Sequence, residues 1–254
     1  MNHIRLVTLF SGYDSQALAM ERLKRDWGGQ FDYDLVAWCE IDASAIKAHN
    51  ALFPQWKDRN LGDICEIDPT EVPDCDCITY SFPCQDISNA GKQQGFAEGS
   101  GSRSSLLWEC EKIIRVKRPK YLLMENVKAL VQKKFMPDFK KWIDVLTEYG
   151  YTNYWQVLNA KDYGVAQNRE RVFMVSILGE HTPYNFPDKI GSTKCVEDYM
   201  IDAEDVDESY FIDQERVTNK VLSDILDQPN VFAEMEKLYH EEWRKSQTNC
   251  DEHQ

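Results

Sequence analysis

Three short segments carry the side chains best suited to chemistry: Ser81-Phe82-Pro83-Cys84-Gln85, Glu125-Asn126-Val127 and Gln167-Asn168-Arg169-Glu170-Arg171. In chain order they supply a thiol, a carboxyl beside an amide, and two arginines. A thiolate is a strong nucleophile. A carboxyl desolvated at the end of a buried strand keeps its proton to higher pH and can donate it. An arginine stabilises negative charge that develops during a reaction. Each segment follows an apolar run that reads as a strand, which brings all three to one rim of a sheet. Taken singly, Cys84 is a core cysteine, Glu125 a cap on the next helix, and Arg169 with Arg171 a surface ion-pairing couple. Together, in this order, they form an active-site constellation.

The elements that must position them follow from apolar periodicity. Residues 4–10, 35–40, 75–81, 121–125, 152–160 and 172–178 read as strands, and 14–25, 42–52, 106–116 and 136–149 as helices. Strands alternating with helices of this length predict an α/β fold: a doubly wound, mostly parallel, Rossmann-like sheet. Ligands of such sheets bind outside the carboxyl ends of the strands. Residues 82–105, rich in glycine and poor in large apolar side chains, form a long polar loop just after the strand that leads to Cys84. Gln167, Arg169 and Arg171 alternate, which places them on one face of a strand. After Ile177 the pattern breaks at Pro183, Pro187 and Gly191, residues 196–210 are densely acidic, and 231–245 read as an amphipathic helix. The expected division is therefore a catalytic domain over 1–178 and an acidic extension over 179–254.

Charge is unevenly placed. Residues 178–254 carry 19 Asp/Glu against 7 Lys/Arg, whereas residues 1–177 carry 24 against 22. The basic face that phosphate contacts demand is thus not written into the composition, and the acidic tail repels nucleic acid unless folded away or covered. No run approaches the roughly 18 apolar residues of a membrane helix, and Met1-Asn2-His3-Ile4-Arg5 leads directly into a strand, so a soluble, cytoplasmic chain is expected. Eight cysteines in that setting read as reduced thiols. Cys65, Cys75, Cys77 and Cys84 lack the paired spacing of a structural zinc site. All cysteines except Cys84 are expected to be buried and unpaired, and no metal is expected.

The three segments resemble the Pro-Cys-Gln, Glu-Asn-Val and Gln-x-Arg-x-Arg blocks of the cytosine-5 DNA methyltransferases, and the resemblance runs from about Leu6 to Ile177. It implies transfer of a methyl group from S-adenosylmethionine to C5 of cytosine in duplex DNA. Cys84 would add to C6, Glu125 would donate a proton at N3, Arg171 would contact the base, and Arg169, Gln85 and Asn126 would order the site. It also implies a cofactor site made of Phe10, Gly12, Glu40, Ile41, Asp63, Ile64 and Pro83. Here Glu40 would take the ribose hydroxyls and Asp63 the adenine amine. Phe10-Ser11-Gly12-Tyr13-Asp14 stands where the family has Phe-x-Gly-x-Gly, so Asp14 replaces a glycine; the sequence leaves open whether an acid there weakens cofactor binding or, beside a cationic sulfonium or amine, aids it. The family's later blocks, including a Gly-Asn pair, are not found after Ile177. That implies a second polypeptide supplying target recognition and completing a split enzyme. A catalytically inactive scaffold with a methyltransferase fold, and an RNA cytosine-5 methyltransferase, are the alternatives.

Overall fold

The computed structural model describes residues 2–83, 103–191 and 194–200. The chain divides into two compact units, Met1–Val196 and Glu197–Gln254. The strands and helices named here belong to the first. The acidic stretch beyond residue 200 and the expected helix at 231–245 lie outside the described residues, as do Cys84 and Gln85. Among the described residues no helix is long and apolar enough to cross a membrane.

Six strands form one sheet: β1 (Asn2–Leu9), β2 (Phe31–Cys39), β3 (Cys77–Tyr80), β4 (Tyr121–Val127), β5 (Tyr151–Asn159) and β6 (Glu170–Leu178), in the order β2-β1-β3-β4-β6-β5. The pairings β1–β2, β1–β3 and β3–β4 are parallel, whereas β6 runs antiparallel to both β4 and β5. The expected α/β, mostly parallel sheet is therefore present, with one reversed strand. Four helices alternate with the strands: α1 (Ser15–Asp26), α2 (Ala43–Leu52), α3 (Leu107–Lys117) and α4 (Met136–Glu148).

The two faces of the sheet bury separate cores, as double winding requires. On one, Leu6, Leu35 and Trp38 meet Ala17 of α1 and Phe53 and Trp56 beyond α2. On the other, Val7, Ile78, Tyr80, Leu122 and Met124 pack against Ile113 and Ile114 of α3 and Phe139 and Trp142 of α4. Every side chain of β3 is buried, as expected of a central parallel strand covered on both sides. β2 begins four residues earlier than its apolar run suggests. Phe31 and Tyr33 turn inward while Asp32 and Asp34 turn out, so the start of the strand has an alternating rather than a continuous pattern.

Cysteine placement departs from expectation at two positions. Cys39, Cys75, Cys77 and Cys110 are buried free thiols, but Cys65 and Cys195 are exposed. Cys65 lies in a single 3-10 turn, Ile64–Glu66, whose inward position is taken by Ile64.

Asp14, which replaces the glycine of the family turn, has a structural role. Its backbone is left-handed (φ 66°, ψ 63°), a conformation glycine adopts freely and aspartate tolerates better than most residues. Its side chain is fully buried and turned away from any ligand: it caps α1 by accepting the Ala17 N–H at 2.9 Å and takes the Thr8 hydroxyl at 2.6 Å. The acid is therefore an internal cap, not a partner for the cofactor's cations. Burial pushes its pKa up to about 6, against 3.8 ordinarily, while the bonds from Thr8 and Ala17 oppose the rise. His49 Nε2 lies 3.7 Å away, but burial lowers the pKa of that ring, so it carries no compensating charge at neutral pH.

The folded chain thus holds the Asp14 proton at a pH where the unfolded chain has released it. Stability from this group is complete below pH 3.8 and is lost as pH rises through about 6, to an upper bound of about 3 kcal/mol. Asp14→Asn keeps the cap and removes the charge. Its melting temperature is expected to exceed that of the native chain at pH 7.5, with the difference closing near pH 4. A difference that stayed constant across that range would show that Asp14 is not titrating in this window.

Candidate active site

Five strands run in one direction and end on one rim, and the reversed β6 begins there. The residues just past β1, β2 and β3, the last residues of β4 and the first of β6 therefore meet at the same edge. Two cavities open along it, separated by Ser81 and Pro83, which line both.

The first cavity, of about 290 Å³, is walled by Phe10, Cys39, Glu40, Ile41, Gly62, Asp63, Ile64 and Leu106 in addition to Ser81 and Pro83. The tight turn after β1 places it: Phe10 and Gly12 both have positive φ, and the Ser11 N–H donates to the Cys39 carbonyl at 3.1 Å. Glu40 organises this end. One carboxylate oxygen accepts the N–H of Gly12 at 2.9 Å, and the other accepts those of Ile41 and Asp42 at 2.8 and 2.9 Å. Asn60, which sequence reasoning missed, locks Glu40 in turn: its side chain accepts the Glu40 and Gly62 N–H groups and donates to the Glu40 carbonyl. The signal for Asn60 is tertiary, since it reaches Glu40 through a bridge to Trp38 that no local pattern announces.

This donor set suits a nucleoside. The apolar side chains of Phe10, Ile41, Ile64 and Leu106 offer flat contact, and two carboxylates, Glu40 and Asp63, face hydroxyl and amine donors. Of the seven residues expected at a cofactor site, six line this cavity. Gly12 does not line it and acts through its N–H bond to Glu40.

The second cavity, of about 170 Å³, is lined by Ser81, Phe82, Pro83, Glu125, Asn126, Val127, Arg169 and Arg171. Glu125 and Arg171 meet diagonally across the antiparallel β4–β6 pair, where Glu125 is opposite Phe173 and Arg171 opposite Val127, with Arg171 Nε 3.1 Å from Glu125 Oε1 and both side chains 23% exposed. Burial raises the Glu125 pKa above the ordinary carboxylate value; the charges of Arg171 and Arg169 and a hydrogen bond from Ser81 oppose it without cancelling it. Asn126, almost fully buried, donates from Nδ2 to the Phe82 carbonyl at 3.0 Å and accepts the Val127 N–H at 2.8 Å, so it ties the end of β4 to the segment that leads into Cys84.

The expected alternation of Gln167, Arg169 and Arg171 along one strand is corrected. β6 starts at Glu170, and the residues before it form tight turns, with the N–H of Gln167 donating to the Val165 carbonyl and that of Arg169 to the Gln167 carbonyl. Only Arg171 is presented by the strand. Arg169 reaches the same cavity from the turn, where its N–H also donates to Asn159 Oδ1 at 3.1 Å. Gln167 is not among the lining residues.

A carboxyl whose pKa burial raises, two cations and a strand end leading into a cysteine are thus set beside the cavity lined by Glu40 and Asp63. The family model described as C-5 cytosine-specific DNA methylase matches residues 4–254. The chain belongs to this family.

The C-5 cytosine methylase match runs well past Ile177, where the visible blocks end, so the family likeness is longer than those motifs suggest. Relatives include the type II methyltransferase M2.ScrFI of Lactococcus lactis subsp. cremoris, 50% identical over 66% of this chain and 46% of that one. The orphan methyltransferase M.SssI of Spiroplasma monobiae is 46% identical over 52% of this chain and 35% of that one. The chain spans less than half the length of these two methyltransferases. The type II methyltransferase M.HaeII of Haemophilus aegyptius is 36% identical over 90% of this chain and 67% of that one. In fold, the chain is similar to the Dnmt2 methyltransferase of S. pombe, with a TM-score of 0.63 at 21% identity over 85% of this chain and 64% of that one.

Proposed function

We propose that this chain transfers a methyl group from S-adenosylmethionine to C5 of cytosine in duplex DNA, through a transient bond between Cys84 and C6 of the base. The observation that carries the reading is the buried Glu125 carboxyl, its pKa raised by burial, held 3.1 Å from Arg171 in a cavity walled by Pro83, the residue before Cys84.

The chemistry follows from what cytosine lacks. C5 is too weak a nucleophile to accept a methyl group until another nucleophile adds at C6. Addition of the Cys84 thiolate pushes electrons toward N3 and O2. Protonated Glu125 supplies a proton to N3, and Arg171 offers a cation to the same side of the ring. S-adenosylmethionine, held by Phe10, Gly12, Glu40, Ile41, Asp63, Ile64 and Pro83, supplies an electrophilic methyl group. S-adenosylhomocysteine would leave as the methyl group is transferred; loss of the C5 proton to water, departure of the thiolate from C6 and return of the N3 proton to Glu125 then restore the aromatic ring and the starting enzyme. Gln85, Asn126 and Arg169 are assigned to positioning. Because C6 of a base stacked and paired within the duplex is out of reach of a side chain, the reaction requires base flipping.

The type II relatives support a place in a restriction-modification or related DNA-protection setting, in the cytoplasm. Target reading is assigned to residues beyond 178, to a second polypeptide, or to both. The test is transfer of a labelled methyl group from S-adenosylmethionine to mixed-sequence duplex DNA, by the chain alone and with a polypeptide carrying a C-5 methylase target-recognition region. Label at cytosine C5 is the expected result. Cofactor binding with no label in either setting, or label on an exocyclic nitrogen, overturns the assignment.

A further inference from the structure

β2 ends at Cys39, yet its hydrogen bonding continues past that point. Asn60 lies beside Trp38 in an isolated parallel bridge, and the N–H of the next residue, Leu61, donates to the Trp38 carbonyl at 2.7 Å. At Glu40 the Asn60 side chain takes over from the backbone. Its Oδ1 accepts the Glu40 N–H at 3.2 Å and its Nδ2 donates to the Glu40 carbonyl at 3.0 Å. A side-chain amide thus meets both polar groups of one backbone residue, as a neighbouring strand would.

The same Oδ1 also accepts the Gly62 N–H at 3.0 Å, and the Gly62 carbonyl accepts the Cys39 thiol at 2.9 Å. Gly62, whose φ of 78° turns the chain just before Asp63, is therefore pinned through both of its polar groups. Glu40, Gly62 and Asp63 line the first cavity, whereas Asn60, half-buried, is not among the lining residues. Glu40 carries the connection to a third segment, because its carboxylate holds the Gly12 N–H beyond β1 at 2.9 Å. One side chain that does not face the cavity thus fixes the backbone from which both of its carboxylates project.

We propose that Asn60 is a positioning residue for the cofactor: as strand partner of Glu40 and acceptor for Gly62, it sets the placement of the Glu40 and Asp63 carboxylates to which a nucleoside's hydroxyl and amine donors bind. The inference rests on the assignment of the first cavity to S-adenosylmethionine made under Proposed function, and it adds a residue to which the resemblance assigns no role. Carboxylates already in place need no ordering when the ligand arrives, whereas a loose pair must be ordered as it binds. Loss of the Asn60 amide therefore weakens binding without removing any group that touches the ligand.

The experiment reads two quantities in the full chain: affinity for S-adenosylmethionine by isothermal titration calorimetry, and protection of the Gly12 amide from hydrogen exchange by nuclear magnetic resonance. Asn60→Ala is expected to raise the dissociation constant about tenfold, the scale of a lost buried hydrogen bond. It should also speed exchange at Gly12 while the amides of β4 and β6 keep their protection. Asn60→Asp, of the same shape but with no amide donor for the Glu40 carbonyl, should move both quantities in the same direction. In a Glu40→Ala background the effect of Asn60→Ala on affinity should shrink to about threefold or less, because residue 40 then carries no carboxylate to place and only the Gly62–Asp63 arm remains. Additive effects overturn the proposal, and so does an Asn60→Ala chain that binds within about twofold of the native value. Exchange needs no ligand: faster Gly12 exchange in Asn60→Ala when the native chain fails to bind S-adenosylmethionine overturns the cofactor assignment alone, and native binding with unmoved Gly12 exchange overturns the role of Asn60 alone.

Discussion

A Cys84→Ser chain should transfer no measurable methyl group to DNA and should fail to form the stable adduct that the native chain forms with a duplex containing 5-fluorocytosine. Fluorine at C5 cannot leave as a proton does, so the elimination that frees the enzyme is blocked and the C6 bond persists. Sulfur matters because a thiol ionises near physiological pH whereas a serine hydroxyl does not, and the thiolate is the attacking species. The expected loss in rate is about 10³-fold or more, the scale seen when a covalent nucleophile is removed. Affinity for S-adenosylmethionine should be retained, because the cofactor cavity is built from Phe10, Glu40, Ile41, Asp63 and their neighbours rather than from the thiol. Denaturing electrophoresis reads the adduct and calorimetry the cofactor. An adduct that survives in Cys84→Ser removes Cys84 from the mechanism.

Glu125 gives the second large effect. Glu125→Ala removes the proton donor and takes the carboxylate partner from Arg171, a side chain only 23% exposed, leaving it its bond to the Glu170 carbonyl. A general acid contributes about 10² to 10⁴-fold to rate, and a loss in that range is expected in kcat. Glu125→Gln separates two parts of the role. Its amide still offers a hydrogen to N3 but cannot give up a proton, so partial activity should remain.

The pH profile distinguishes the variants further. The native rate needs Glu125 protonated and so falls as pH rises through its pKa, which burial has raised. In Glu125→Gln that limb should disappear, leaving only the rise with pH that reflects ionisation of Cys84. A Gln variant that kept the native alkaline limb would show that the limb belongs to another group.

Much of this was legible from sequence because it is local. The six strands and four helices follow from periodicity, with boundaries displaced by a residue or two except where β2 alternates Phe31 and Tyr33 with Asp32 and Asp34. The residues of both cavities were found where a motif stands at a strand end: Glu40 after β2, Pro83 after β3, Glu125 and Asn126 in β4. What was illegible depends on direction or on distant partners. Nothing in residues 170–178 says that the strand is reversed, and that reversal, not an alternating face, is what sets Arg171 against Glu125. Asn60, Gln16 and Ser81 look like ordinary polar residues until the chain brings each to a partner 20 or more positions away. The role of Asp14 was left open by the sequence because nothing local says that a left-handed backbone turns its side chain inward.

The reversal of β6 has a further result. Leu178 pairs with Tyr151, at the end of the sheet farthest from the cavities. The chain then returns along the edge strand β5. His181 and Tyr184 meet Tyr154, the Tyr163 hydroxyl donates to the Pro187 carbonyl, and the N–H groups of Ile190 and Gly191 both donate to the Asp162 carbonyl just beyond the rim end of β5. This strap seals an edge that would otherwise invite intermolecular pairing, and it delivers residue 191 to the reactive side of the sheet. The chain therefore leaves the sheet at the rim where both cavities open, not at the far end where β6 finishes.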